Sequence, residues 1–134
     1  MSPSKLVAIV DDDFDTAILF QDALQRFGVK IIKFTDPKIA LEHFKIYQTQ
    51  YEVVVSDLRL PNLTGIQLIE KIKDLNPLVR TVLMTAFSIA DDHFVEYIKR
   101  GILNGFLRKP ILLHDLLDEV KIQLVACNKP PTNG

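Results

Sequence analysis

Five short apolar runs, each followed by a longer stretch of helical period, constrain this chain more than any other feature. Leu6-Val7-Ala8-Ile9-Val10 is continuously apolar, as expected of a strand covered on both faces. Phe14, Ala17, Phe20, Leu24 and Phe27 then recur at three- and four-residue spacing, which predicts an amphipathic helix. Gly28 follows that stripe and can end a helix without a Cβ penalty. A second strand is expected over residues 29–34. Asp36-Pro37 then supplies an N-cap and a first-turn proline for a helix burying Ala40, Phe44 and Tyr47. Val53-Val54-Val55 marks a central strand over residues 52–56. Leu68, Ile69, Ile72 and Leu75 mark a third helix, stopped at Asn76-Pro77.

The fourth strand is expected over residues 79–84. A fourth helix over residues 89–100 carries Phe94, Tyr97 and Ile98 on a weaker stripe. A short fifth strand over residues 105–108 precedes a last helix with Leu113, Leu116, Leu117, Val120 and Leu124. Five βα units predict an α/β fold, a doubly wound five-stranded parallel sheet with helices on both faces. At 134 residues the chain fits one domain, assigned to residues 1–126. Residues 127–134 are polar and proline-rich and read as a tail or the start of a linker. That tail is too short to fold, so the expectation is a stand-alone domain or one cut from a longer protein.

The formal net charge of -1 gives no overall basic field for nucleic acid or anionic lipid. Cys127 is the only cysteine and has no internal disulfide partner, which fits a reducing compartment. No apolar run approaches the length of a membrane span. A cytoplasmic location is therefore expected.

The polar residues that follow the strands carry the functional reading. Asp11, Asp12 and Asp13 follow the first strand, Asp57 the third, Thr85 the fourth and Lys109 the fifth. Open parallel sheets bind ligands outside the carboxyl ends of their strands. Taken singly, each residue has a bland role: Asp13 as a helix cap, Thr85 in a turn, Lys109 on a solvated surface. Together Asp11, Asp12, Asp57, Thr85 and Lys109 place three carboxylates, a hydroxyl and an ammonium at one sheet edge. Clustered carboxylates raise one another's pKa unless a cation neutralises them, and an oxygen-only ligand set suits a hard cation such as Mg²⁺.

Val10-Asp11-Asp12-Asp13, Ser56-Asp57-Leu58-Arg59-Leu60-Pro61 with Gly65, Met84-Thr85-Ala86, and Gly105-Phe106 with Lys109-Pro110 resemble the response-regulator receiver domain of two-component signalling. The resemblance covers residues 5–126 in the family's order and spacing. It implies a flavodoxin-like (βα)5 fold with strand order 2-1-3-4-5. It also implies Asp57 as phosphoacceptor. Mg²⁺ would be held by Asp12, Asp57 and the Arg59 backbone carbonyl directly, and by Asp11 through water. Lys109 would pair with the phosphoryl group and Thr85 would hydrogen-bond to it. Thr85 and Phe106 would act as switch residues, changing the face formed by the fourth helix, fifth strand and fifth helix.

The implied partners are a sensor histidine kinase or phosphotransfer protein and a downstream protein or fused output domain. No direct nucleic-acid or membrane contact is implied, and the chain would be a monomer or weak dimer. Beyond its own phosphorylation and slow autodephosphorylation it would not be an enzyme. Leu60 stands where methionine is frequent, and Phe106 where tyrosine is common. Arg59 and Phe87 lie two residues after Asp57 and Thr85, positions resembling those that tune phosphoryl lifetime. An aromatic there would exclude water and slow dephosphorylation.

Three alternatives compete with this reading. An Asp-nucleophile phosphatase resembles a DxDx[TV] pattern after the first strand, and here Asp11 and Asp13 are followed by Asp15, and Asp13 and Asp15 by Ala17. A flavin carrier needs a hydroxyl- and glycine-rich phosphate loop where this chain has three aspartates. A receiver-like interaction module never phosphorylated in use stays open. His43, His93 and His114 have no metal spacing, and Tyr47, Tyr51 and Tyr97 read as packing residues.

Overall fold

The computed structural model describes residues 6–87 and 92–128. The elements alternate as β1 (Leu6–Val10), α1 (Phe14–Gln25), β2 (Ile31–Phe34), α2 (Pro37–Tyr47), β3 (Tyr51–Asp57) and α3 (Gly65–Leu75). They continue as β4 (Arg80–Thr85), α4 (Asp92–Lys99), β5 (Gly105–Arg108) and α5 (Leu113–Asn128). All strand pairs are parallel and the sheet order is β2-β1-β3-β4-β5, as the resemblance implied.

The sheet is the middle layer because its strands are apolar on both faces. Along β3, Val53 and Val55 point to one side, where they pack with Phe20 and Leu24 of α1 and Leu116 and Val120 of α5. Val54 points to the other, against Phe44 of α2 and Leu68 and Ile72 of α3. A third cluster joins Ile66 and Ile69 of α3 to Leu83, Phe94 and Leu103, with Phe106 packed on its edge. Period-two alternation in a buried strand thus divides one triplet of valines between two cores.

Local signals start the helices where the sequence placed them. Asp13 caps α1 by accepting from the backbone N–H groups of Asp15 and Thr16. Asp36 caps α2 through the Lys38 N–H, with Pro37 in the first turn. The start of α3 is a capping box not anticipated from sequence: Thr64 Oγ1 accepts from Gln67 N–H at 3.1 Å, and Gln67 Oε1 accepts from Thr64 N–H at 3.0 Å. After α1, Gly28 adopts φ +79°, the left-handed conformation that glycine reaches at no steric cost.

Several boundaries and faces differ from expectation. β3 extends one residue at each end, so Asp57 is itself the last strand residue, while β2 starts at Ile31. α5 runs through Asn128, which puts Cys127 in its last turn instead of a tail. The expected start of the fourth helix at Ile89 falls outside the described residues. Phe14 and Phe27 are exposed, although both belong to the apolar stripe of α1. Lys33 lies over the Phe14 ring at 5.5 Å and Lys121 over the Phe27 ring at 5.0 Å, so cations shield what the core does not. Tyr47, Leu75, Ile98 and Leu113 are also more exposed than their stripes implied, each lying at or near a helix end.

Candidate functional site

Because β1 and β3 are neighbours with Val10 opposite Ser56, the residues that follow, Asp11 and Asp57, emerge side by side. Both are buried, Asp11 at 3% and Asp57 at 5% exposure, whereas Asp12 is exposed. Each of the three offers a carboxylate oxygen, and these oxygens lie within 4.8 Å of one another. This is the only such group of potential metal ligands among the described residues. Asp13 points its carboxylate at the start of α1 instead, so the first of the four motifs divides into two site residues and a cap.

The Asp11 backbone continues the ladder, donating its N–H to Phe34 O at 3.0 Å, and its Oδ1 accepts from Asp13 N–H at 3.0 Å. Burial is the main reason its carboxyl is pushed up to about 6 from 3.8. The Asp13 N–H opposes this, the Asp57 and Asp12 carboxylates add to it, and the Lys109 ammonium opposes it again. A site with this carboxylate crowding, all of its potential ligands oxygen, fits a hard divalent cation.

β4 and β5 bring the other two polar groups. Lys109 follows β5, and its backbone N–H donates to Thr85 O at 2.8 Å. Its Nζ donates to Asp57 Oδ2 at 2.9 Å, a bond joining residues 52 apart in sequence. The lysine end of this pair is partly solvated, so the contact positions Asp57 more than it stabilises the fold. Thr85 is 2% exposed, and its Oγ1 accepts from Phe87 N–H at 3.1 Å. Of the expected site residues, Asp57, Arg59, Thr85, Phe87 and Lys109 line one cavity of about 220 Å³. Asp11, Asp12, Asp57 and Lys109 open on a larger cleft of about 710 Å³ on the α1 side, with apolar walls from Leu19 and Ile111.

Arg59 and Phe87 are linked in space to Phe106. The Arg59 guanidinium carbon sits 5.7 Å from the centroid of the Phe87 ring. Phe87 lies 6.3 Å from Phe94, and Phe94 meets Phe106 edge-on at 5.2 Å. A line of aromatic contacts thus runs from the rim of the cavity to the half-buried Phe106. No sequence spacing signals this line of contacts, because Arg59 and Phe87 lie in two different connections, Phe94 on α4 and Phe106 on β5.

The remaining singled-out residues stay apart from the cluster. His43 Nδ1 and Tyr51 OH share a hydrogen bond of 2.7 Å within an aromatic group including Phe34, Phe44 and Tyr47. His114 pairs with Asp115 on the surface. His93 falls on α4, with its side chain outside the described residues. Among the described residues no helix is long and apolar enough to cross a membrane.

Comparison with known proteins agrees with this fold. The family profile described as "Response regulator receiver domain" matches residues 7–121. The chain is 32% identical over 118 residues to the transcriptional regulatory protein ZraR of Klebsiella oxytoca, covering 88% of this chain and 24% of that protein. It therefore spans about a quarter of the length of that regulator. It is 25% identical over 122 residues to the polar-differentiation response regulator DivK of Brucella anthropi, covering 90% of this chain and 96% of that one. A CheY-like receiver domain structure from Methanospirillum hungatei superposes with a TM-score of 0.81 at 22% identity, covering 93% and 97% of the two chains, and so shares the fold. With the profile spanning all five strands and the acidic cluster at their carboxyl ends, this chain belongs to the response-regulator receiver domain family of two-component signalling.

Proposed function

We propose that this receiver is switched by transfer of a phosphoryl group to Asp57. The observation that carries the reading is the Asp57 carboxylate itself. It is buried, one oxygen is held by Lys109 Nζ at 2.9 Å, and it is grouped with Asp11 and Asp12 ligand atoms within 4.8 Å. In this reading Asp12, Asp57 and the Arg59 carbonyl, with Asp11 through water, would hold Mg²⁺. When bound, the ion would supply the positive charge that neutralises the carboxylates and the transferring oxygens.

The chain's own residues account for the rest. An Asp57 carboxylate oxygen attacks phosphorus; the new O–P bond forms as the donor's bond to phosphorus breaks and the donor keeps that electron pair. Lys109, already on Asp57, exchanges its carboxylate partner for a phosphoryl oxygen. Thr85 gives up its bond from the Phe87 N–H as its hydroxyl turns to the phosphoryl group. Phe106, packed on the edge of the third core cluster, moves into the space behind Thr85 and alters the face made by α4, β5 and α5. Arg59 over Phe87 covers the cavity and slows attack by water on the acyl phosphate.

The donor is a histidine kinase or phosphotransfer protein of the cytoplasm, and the changed face is read by a protein target or a fused output domain. The domain acts as a monomer or weak dimer and turns over no substrate beyond its own phosphate. The test is incubation with Mg²⁺ and a small acyl-phosphate donor, followed by intact mass measurement. The expected result is a gain of one phosphoryl mass that disappears with a chelator. No gain under any Mg²⁺ concentration would overturn the proposal and leave an interaction module.

A further inference from the structure

Asp57 is followed by a backbone whose polar groups are nearly all committed. The carbonyl oxygen of Asp57 accepts from Ser56 Oγ at 2.9 Å. Across the same peptide unit, Leu58 N–H donates to Met84 O at 2.9 Å. The next carbonyl, Leu58 O, accepts from Gly65 N–H at 2.8 Å. Gly65 also lies against the Asp57 carbonyl: a Cβ added to it would fall 2.2 Å from Asp57 O and 2.9 Å from Asp57 C. The first turn of α3 is therefore closed down on the carbonyl that Ser56 holds, and no side chain larger than hydrogen fits between them.

Ser56 itself is 0% exposed, and no polar side-chain atom buried among the described residues lacks a partner. A buried hydroxyl costs free energy unless it is hydrogen-bonded, so its rotation is restricted to directions that reach an acceptor. A valine or alanine at this position would continue the apolar pattern of Val53-Val54-Val55, whereas the serine interrupts it one residue before Asp57.

We propose that Ser56 is a positioning residue for the acceptor site: its hydroxyl fixes the Asp57–Leu58 peptide plane, and with it the direction of the Asp57 carboxylate and of the backbone leading to the Arg59 carbonyl. This rests on the reading of Asp57 and its neighbours as the cation and phosphoryl site. Ser56 touches neither phosphoryl group nor cation; it acts through the backbone. Ser56→Ala leaves the Asp57 carbonyl without its side-chain donor and frees the peptide unit to tilt. The loss of one buried hydrogen bond then appears as a Mg²⁺ dissociation constant raised by about threefold to tenfold.

The experiment compares the parent with Ser56→Ala and with Ser56→Cys, which nearly keeps the volume but offers a much weaker donor. Mg²⁺ binding is measured by titration calorimetry, and exchange of the Leu58 and Gly65 amide hydrogens is followed in chelator by NMR. The expected result is weaker Mg²⁺ binding and faster exchange at both amides in both variants. Equal Mg²⁺ affinity and equal amide protection in a folded variant would overturn the proposal, as would loss of unfolding free energy alone. Should the alanine variant not fold, the cysteine variant decides by the same two readouts. Absence of Mg²⁺ binding by the parent would instead refute the cation-site reading, and is thereby distinguished from failure of the role given to Ser56.

Discussion

Asp11→Asn tests the electrostatics of the cluster in isolation from any phosphoryl chemistry. In the folded chain the Asp11 carboxyl is pushed up to about 6 from 3.8, chiefly by burial. The folded state therefore binds this proton more tightly than the unfolded state. Below pH 3.8 both states hold the proton and the group costs nothing. The cost grows as pH rises from 3.8 to 6 and is complete above 6. At about 1.36 kcal/mol per pKa unit, it reaches about 3 kcal/mol at pH 7. An asparagine carries no charge at any of these pH values and can still accept from the Asp13 N–H that Asp11 Oδ1 now receives at 3.0 Å. The variant should therefore be more stable than the parent in chelator by about 0.5 kcal/mol at pH 4, about 1.5 at pH 5 and about 3 at pH 7. Urea unfolding at fixed ionic strength measures this, and the difference between variant and parent removes the other carboxylates from the comparison. Added Mg²⁺ should stabilise the parent at pH 7 and narrow the gap. A variant no more stable than the parent at pH 7, or a difference that does not grow with pH, would refute the argument.

Phe87→Ala removes the ring under Arg59 and opens the cavity beside Asp57, so the phosphorylated variant should lose its phosphate severalfold faster than the parent. Decay of the phosphoprotein mass after donor removal checks this, and an unchanged half-life contradicts it. Phe44→Ala empties a fully enclosed site between α2 and β3 and should cost about 3–5 kcal/mol of unfolding free energy, read from urea denaturation. Lys109→Met removes the cation from Asp57 Oδ2 and one of the two influences holding the Asp11 carboxyl down. Its Asp11 carboxyl, followed by NMR, should titrate at higher pH than in the parent; an unchanged or lower titration would contradict the pairing.

The alternation of apolar runs and helical stripes was enough to give the order and type of the elements, because Val53-Val54-Val55 and Leu6–Val10 are apolar on both faces and a helix-covered parallel sheet buries both. Residue order also brought Asp11, Asp12, Asp57, Thr85 and Lys109 to one sheet edge, since four of them end or directly follow a strand and Asp12 comes one residue later. Periodicity could not say where a stripe stops being buried: Phe14 and Phe27 keep the α1 spacing yet lie beneath lysines at the surface. Contacts set by the third dimension stayed hidden. The approach of Arg59 to Phe87 depends on how two connections leave adjacent strands. The contact of Gly65 with the Asp57 carbonyl depends on how α3 docks, which the residues around Gly65 do not signal by themselves.

The most direct test of the central claim is chemical identification of the linkage and its position. The protein is phosphorylated with Mg²⁺ and a small acyl-phosphate donor, then treated with borohydride, which reduces an acyl phosphate of aspartate to homoserine, and mapped by peptide mass spectrometry. The account predicts homoserine at position 57 alone, absent when Mg²⁺ is withheld. A phosphoryl group that survives the treatment on Ser56 or Thr85, or homoserine at position 11 or 12, would contradict it.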